Sequence, residues 1–327
     1  MSCRKPTRLT GGLIALSCLV VGAAAVPARS VPAPLSVPQG TWETIDKIYS
    51  FDLEQAAEGA QKMQRELPEH PLGYLLEDEA LWWRFWCTSA DYKWGMMDAR
   101  HRPHAPSDAR YLELSTKAYS LARREIARGD SAEMQLYAGM ADALAARLYA
   151  LRGENRSTAR VGVRARQSFL RALELDPAMA DADLGLGLYN YYVDTLSSMA
   201  KVLRFFMGIP GGSKQEGQRQ LENAIAHGKL TPTLARVYTA LNLHRYDQQY
   251  QRAIEVLVPA AEKYQSNPLF LLMLGDLHAK LAHQEEALSY YRAAAALPVA
   301  DPECRARIQA LAASAVAANS RESASKS

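Results

Sequence analysis

Chemistry has few places to live in this chain of 327 residues. His101 and His104, in the run His-Arg-Pro-His with Asp98 and Asp108 close by, are residue types that ligate metals. Pro103 stands between the imidazoles and prevents a regular helix from aligning them, so the run reads as a solvated loop. Gly211-Gly212-Ser213-Lys214 holds the ingredients of a phosphate loop. Its order is wrong, because such a loop needs Gly-x-x-x-x-Gly-Lys-Ser/Thr after a strand and here Ser precedes Lys. Ser213 and Glu216 instead have the spacing of a capping box, Ser bonding a free backbone N–H and Glu reaching back. Asp194 lies in an apolar stretch with no second carboxylate or His at helical spacing, which makes it a surface or helix-end group. These residues predict no catalysis, no cofactor and no metal.

The elements that must carry any site repeat along the chain. With Pro268 as position 1, Leu271, Leu274, Gly275, Ala287, Tyr291 and Ala294 fall at positions 4, 7, 8, 20, 24 and 27, and Pro298 comes one place before position 32. Moving back 34 residues lands on Leu241, Ala253, Leu257 and Ala260, with the same small-large-small rhythm. Ala165, Phe169, Ala172 and Pro177 repeat it at positions 20, 24, 27 and 32, and Leu186-Gly187 occupies positions 7 and 8 of the following unit. A period of this length marks an array of helical hairpins. The pattern resembles the tetratricopeptide repeat (TPR) family, which implies an all-α solenoid of helical hairpins. The small residue at position 8 lets the two helices of a unit approach closely, and the large one near position 24 fills the next gap.

The phase divides the chain. A Pro-rich linker over 29–40 precedes a TPR-like superhelix of about five hairpins over 41–298, interrupted by insertions at 90–106 and 196–212. A capping helix over 299–318 and a disordered tail over 319–327 complete it, the cap being required because a terminal repeat needs a polar outer face. The first insertion contains Trp94, two Met and two Pro and reads as a loop packed over the array. The second follows Gly185-Leu-Gly-Leu-Tyr-Asn190 and adds an apolar helical segment, Leu196 to Met207, before a Gly-Pro-Gly-Gly break. Residues 182–222 resemble the eukaryotic inclusion-body-clearance family of TPR proteins and similar bacterial secreted TPR proteins, which have this succession of motifs.

The TPR resemblance also implies a concave groove lined by positions 2, 5, 9, 12 and 13 of each first helix. In this sequence those positions are Ala235, Tyr238, Asn242, Arg245 and Tyr246 in one unit and Leu269, Leu272, Asp276, Ala279 and Lys280 in the next. Positions 12 and 13 fall on Trp82-Trp83 and on Tyr191-Tyr192 in the irregular units. Trp82 reads as core, since Trp82, Phe85 and Trp86 form an i, i+3, i+4 apolar stripe. The regular phase predicts that Tyr238, Arg245 and Tyr246 face the groove. The candidate peptide-binding set is therefore Tyr191, Tyr192, Tyr238, Asn242, Arg245, Tyr246, Asp276 and Lys280. Rings supply contact area at low entropic cost, and Arg and Asn hold backbone or carboxylate groups.

Composition sets the remaining bounds. Hydrophobic residues at 48% supply a continuous core, and 22% charged residues is usual for a soluble protein, which excludes disorder of the whole chain. Arg4, Lys5 and Arg8 account for the entire formal charge of +3, so the chain beyond residue 28 is neutral and a nucleic-acid partner is not expected. Those charges precede an apolar run from Leu9 to Val26 and small residues at 22–25, the pattern of a signal peptide over 1–28. An uncleaved membrane anchor and a lipidated Cys18 are the alternative readings. Export would leave Cys87 and Cys304 in a compartment where disulfides persist. In an open array, contacts reach only neighbours, so residues this far apart are expected to stay separate as buried thiols. The sequence as a whole predicts a non-catalytic periplasmic or secreted scaffold that binds a protein or peptide segment. The alternative is a membrane-associated or self-associating assembly factor that uses the 196–212 insertion.

Overall fold

The protein is described by a computed structural model covering residues 35–89, 103–206 and 208–326. The leader over 1–28, His101 and most of the first insertion lie outside the described residues. Every regular element among those residues is helical: α1 Thr41–Tyr49, α2 Leu53–Glu66, α3 Leu72–Ser89, α4 Ser107–Arg128, α5 Ala132–Arg152, α6 Asn155–Leu175 and α7 Asp181–Thr195. Then come α8 Ser198–Phe206, α9 Lys214–His227, α10 Pro232–Asn242, a π-helical turn Leu243–Asp247, α11 Tyr250–Lys263, α12 Pro268–Lys280, α13 Gln284–Ala296 and α14 Pro302–Lys326. The expected all-α class is what the structure shows.

Local chemistry sets most boundaries. Asp52, Ser131, Ser213 and Asn267 each accept a backbone N–H from the first turn of the helix they precede, and Pro232 and Pro268 open helices where a missing N–H costs nothing. Gly153 ends α5 in the left-handed region at φ 77°, where a side chain would be strained. Asp181, buried at the start of α7, accepts the backbone N–H groups of Lys229, Leu230 and Thr231 and so ties α7 to the entry of α10. α14 runs past residue 318 to Lys326, so backbone expected as a polar tail continues the terminal helix.

Each helix packs against its neighbour in sequence, with one exception: α9 takes the place beside α7 that the chain order would give to α8. Phe169 of α6 is the clearest case of a large residue meeting small ones. A Cβ placed on Gly139 of α5 would come within 2.6 Å of its ring, and one on Gly185 of α7 within 2.0 Å. Gly275 of α12 faces Tyr291 of α13 in the same way, at 2.6 Å.

The two ends of the described chain also meet. Cys87 of α3 and Cys304 of α14 are joined in a disulfide with Cα atoms 5.5 Å apart, so the expectation of two separate thiols is corrected. Arg84 pairs with Asp301 at 2.7 Å beside it. Asp46 of α1 accepts from Lys263 (3.0 Å) and from the Tyr264 hydroxyl (2.8 Å). Asn267 caps α12 with its Oδ1 while donating Nδ2 to the Tyr49 carbonyl at 2.9 Å, and Trp83 lies edge-on to Phe270 at 5.7 Å. The prediction about the cysteines assumed an open array, and closure removes that assumption. The linker likewise ends against the fold rather than as a free spacer: Leu35 and Val37 pack on the core and Ser36 N–H donates to Glu133.

Closure decides what lies inside. The Arg147 guanidinium of α5 stands over Trp82 of α3 at 5.7 Å and over Tyr238 of α10 at 5.4 Å, and it pairs with Glu79 at 2.6 Å. Side chains from helices far apart in sequence thus share one interior.

Candidate functional site

Of the eight predicted groove residues, five gather where α7 ends and α10 passes into the π turn. Tyr191 and Tyr192 close α7, and their rings are 5.9 Å apart. The Tyr246 ring stands 5.7 Å from Tyr191 and 6.2 Å from Tyr192, in edge-to-face arrangements. Arg245 reaches over Tyr246 at 6.0 Å. Asn242 lies between Tyr238 and Tyr246 on the same run of helix, and its backbone carbonyl accepts from the Tyr191 hydroxyl at 3.4 Å.

The π turn makes this junction. It adds one residue to the turn, and the chain leaves it through Gln248 in the left-handed region at φ 53°. Asp247 is thereby turned back to α7, where Tyr191 donates to its Oδ2 at 2.9 Å. Lys214, the first residue of α9, pairs with the other oxygen of Asp247 and lies 5.3 Å from the centre of the Tyr191 ring. The end of α7, the start of α9 and the π turn are locked together through one carboxylate.

The other predicted residues have different places. Tyr238 is only 3% exposed and packs under Arg147, so it belongs to the interior and does not line an open groove. Asp276, 6% exposed, faces inward, with its Oδ2 2.8 Å from His244 Nε2. Tyr191 is buried as well. The causes differ: Tyr238 meets Arg147 of α5, far away in sequence, whereas Asp276 and Tyr191 are buried against the π turn, through His244 and Asp247. Tyr192, Arg245 and Tyr246 keep partial exposure and Lys280 is exposed. Trp82 and Trp83 are both buried, as the apolar stripe indicated for Trp82.

Electrostatics define what the cluster can do. Burial, reinforced by Asp247, pushes the Tyr191 hydroxyl far above its ordinary value, and burial raises Tyr192 likewise. Both stay neutral; Tyr191 donates to Asp247, and both offer ring faces. Asn242 is 2% exposed, and among the described residues neither Nδ2 nor Oδ1 has a hydrogen-bond partner.

The remaining candidates have structural tasks. Asp194 ends α7, accepting the Lys214 N–H at 2.9 Å and Lys201 Nζ at 3.0 Å; those bonds hold its carboxyl below the usual range. Ser213 caps α9, but Glu216 turns to Arg219 (2.5 and 2.9 Å) instead of completing the capping box. Asp108 is engaged by Arg152 at 2.5 and 2.7 Å, with His104 at 3.3 Å. No three His, Cys, Asp or Glu side chains converge as a metal site among the described residues. A cleft between α9 and α11 is lined by Glu216, Arg219, Glu222 and Arg252; Arg252 pairs with Glu222 across it, and Arg219 with Glu216 along α9.

Sequence reasoning missed Arg147, Glu79, Asp247 and Asp78. The last is buried in α3 with neither oxygen partnered among the described residues, and burial holds its carboxyl well above its ordinary value. Only the unusual Glu-Asp-Glu run at 77–79 of an apolar helix could have signalled it. No protein-family model matches the chain, and no curated protein matches it either.

Proposed function

We propose that this chain is a non-catalytic TPR-like scaffold of about five hairpins, exported to the periplasm or secreted, that binds a segment of a partner protein. The contact surface is the rim formed by Tyr192, Arg245 and Tyr246. The repeat reading is supported by Gly187 and Gly275, both at position 8, which lie against Leu221 and Tyr291 of their partner helices. Export is supported by the Cys87–Cys304 disulfide, since such bonds persist in oxidising compartments.

The partly exposed rings of Tyr192 and Tyr246 carry the binding proposal, because with Arg245 over Tyr246 they form one continuous aromatic and cationic surface on which a peptide segment can lie. The test is a crosslinked pull-down from the envelope fraction, comparing the native chain with the Arg245→Glu/Tyr246→Ala variant, which is expected to lose the principal partner while melting as the native protein does. Full retention of every crosslinked partner at unchanged melting temperature would show that this rim is not the contact surface.

A further inference from the structure

The middle carboxyl of the Glu-Asp-Glu run at 77–79 belongs to no part of the binding rim. Asp78 is 0% exposed in α3, and among the described residues neither of its oxygens has a hydrogen-bond partner. The acids on either side of it are both engaged. Glu77 accepts from Arg110 of α4 at 3.0 Å and from Gln61 (3.2 Å) and Gln64 (2.6 Å) of α2. Glu79 pairs with Arg147 of α5 at 2.6 Å and accepts from Trp83 Nε1 at 3.2 Å. Both cations whose charge reaches Asp78 are therefore bound to the carboxylates that flank it.

The helices packed on α3 bring no other counter-ion. Besides Arg110, α4 brings Tyr111, whose hydroxyl donates to the Leu144 carbonyl at 3.1 Å. Tyr49 of α1 stands edge-on to Trp83, and Asp301, just before α14, is taken by Arg84. A buried carboxyl with no cation of its own avoids the cost of a desolvated charge by keeping its proton. Burial first, and then the charge of Glu79, hold this carboxyl well above its ordinary value against the pull of Arg147 and Arg110.

We infer that Asp78 is a pH-sensitive lock: the packing of α3 against α4 and α5 holds it as the neutral acid, and its ionisation weakens that packing. A folded chain that keeps a proton which the unfolded chain releases is favoured by acid. The stability that the neutral acid permits is complete below the ordinary aspartate value and is lost as pH rises from there to the raised one.

Denaturant unfolding of the full chain with its disulfide intact, native and Asp78→Asn, from pH 5 to pH 8 tests it. Asn has the shape of the neutral acid and cannot ionise. The unfolding constant of the native chain divided by that of the variant should rise about tenfold per pH unit until the folded carboxyl ionises. Asp78→Ala, which leaves a small cavity, should give the same slope with a constant offset. A ratio to either variant that stays flat across this range would overturn the inference, because the carboxyl would then be as ionised in the folded chain as in the unfolded one.

Discussion

The hairpins α12–α13 and α7–α9 carry the same glycine at the same repeat position and use it differently. At Gly275, backbone meets a ring: an added Cβ would come within 2.6 Å of Tyr291 Cε1. At Gly187, backbone meets backbone. An added Cβ there would stand 2.9 Å from the Gly217 carbonyl oxygen, and one on Gly217 would stand 2.6 Å from the Gly187 oxygen and 2.7 Å from Tyr191 N. Pro268 and Asn267 start the regular hairpin and three residues turn it, whereas the chain between α7 and α9 leaves, forms α8 and returns. The interrupted pair nevertheless has the closer crossing. An insertion between two helices therefore need not loosen their contact when a glycine on each side lets the backbones touch, and the end of α7 keeps Tyr192 partly exposed.

That difference predicts unequal tolerance. Gly217→Val should be the most damaging change, about 3–4 kcal/mol by denaturant unfolding, because the atoms it strikes are main chain and cannot rotate away. A loss below 1 kcal/mol would mean that the α7–α9 crossing is wider than described. Removing the disulfide with Cys87→Ala and Cys304→Ala should cost about 3 kcal/mol. Hydrogen exchange should then show α13 and α14 opening before α7 and α9, since the bond anchors α14 and not the interrupted hairpin. Gly275→Ala should cost about 2 kcal/mol, less than Gly217→Val, because the Tyr291 ring can shift where a carbonyl cannot.

The smallest effect belongs to Asp194, which joins α7 to α9 across the insertion. Its carboxyl is held below the usual range first by the Lys214 N–H and then by Lys201, so its contribution is present above the ordinary aspartate value and is lost as pH falls through the depressed one. More than a third exposed, it is screened, and Asp194→Ala should cost about 0.5 kcal/mol at pH 7 and nothing at pH 2. A difference between native and variant that persists at pH 2 would assign its role to packing instead.

Much of the local structure was legible in the residues. The stretch Pro268 to Pro298 is regular enough to phase the chain, and Ser213, read as a helix cap, does cap α9. The candidate site was legible only in part. Tyr191, Tyr192, Asn242, Arg245 and Tyr246 do come together, because a groove position in one helix tends to neighbour the corresponding position in the next. Asp247 and Lys214 could not be anticipated, since nothing in Leu-His-Arg-Tyr-Asp announces a π turn. Burial of Tyr238 and Asp276 was equally hidden, because a repeat pattern specifies which face a side chain takes and not what stands opposite that face.

By itself, then, the sequence determined the all-helical class, the helix ends and the glycines that permit close crossing, all of which depend on residues within one or two turns or one hairpin. Tertiary structure alone decided that the ends meet, that Cys87 bonds Cys304 and that Arg147 joins α3 to α10. Those outcomes depend on the rotation from each helix to the next, accumulated over the whole succession of helices. No single residue encodes that sum, and it determines whether a residue phased for a groove ends in solvent or in the core.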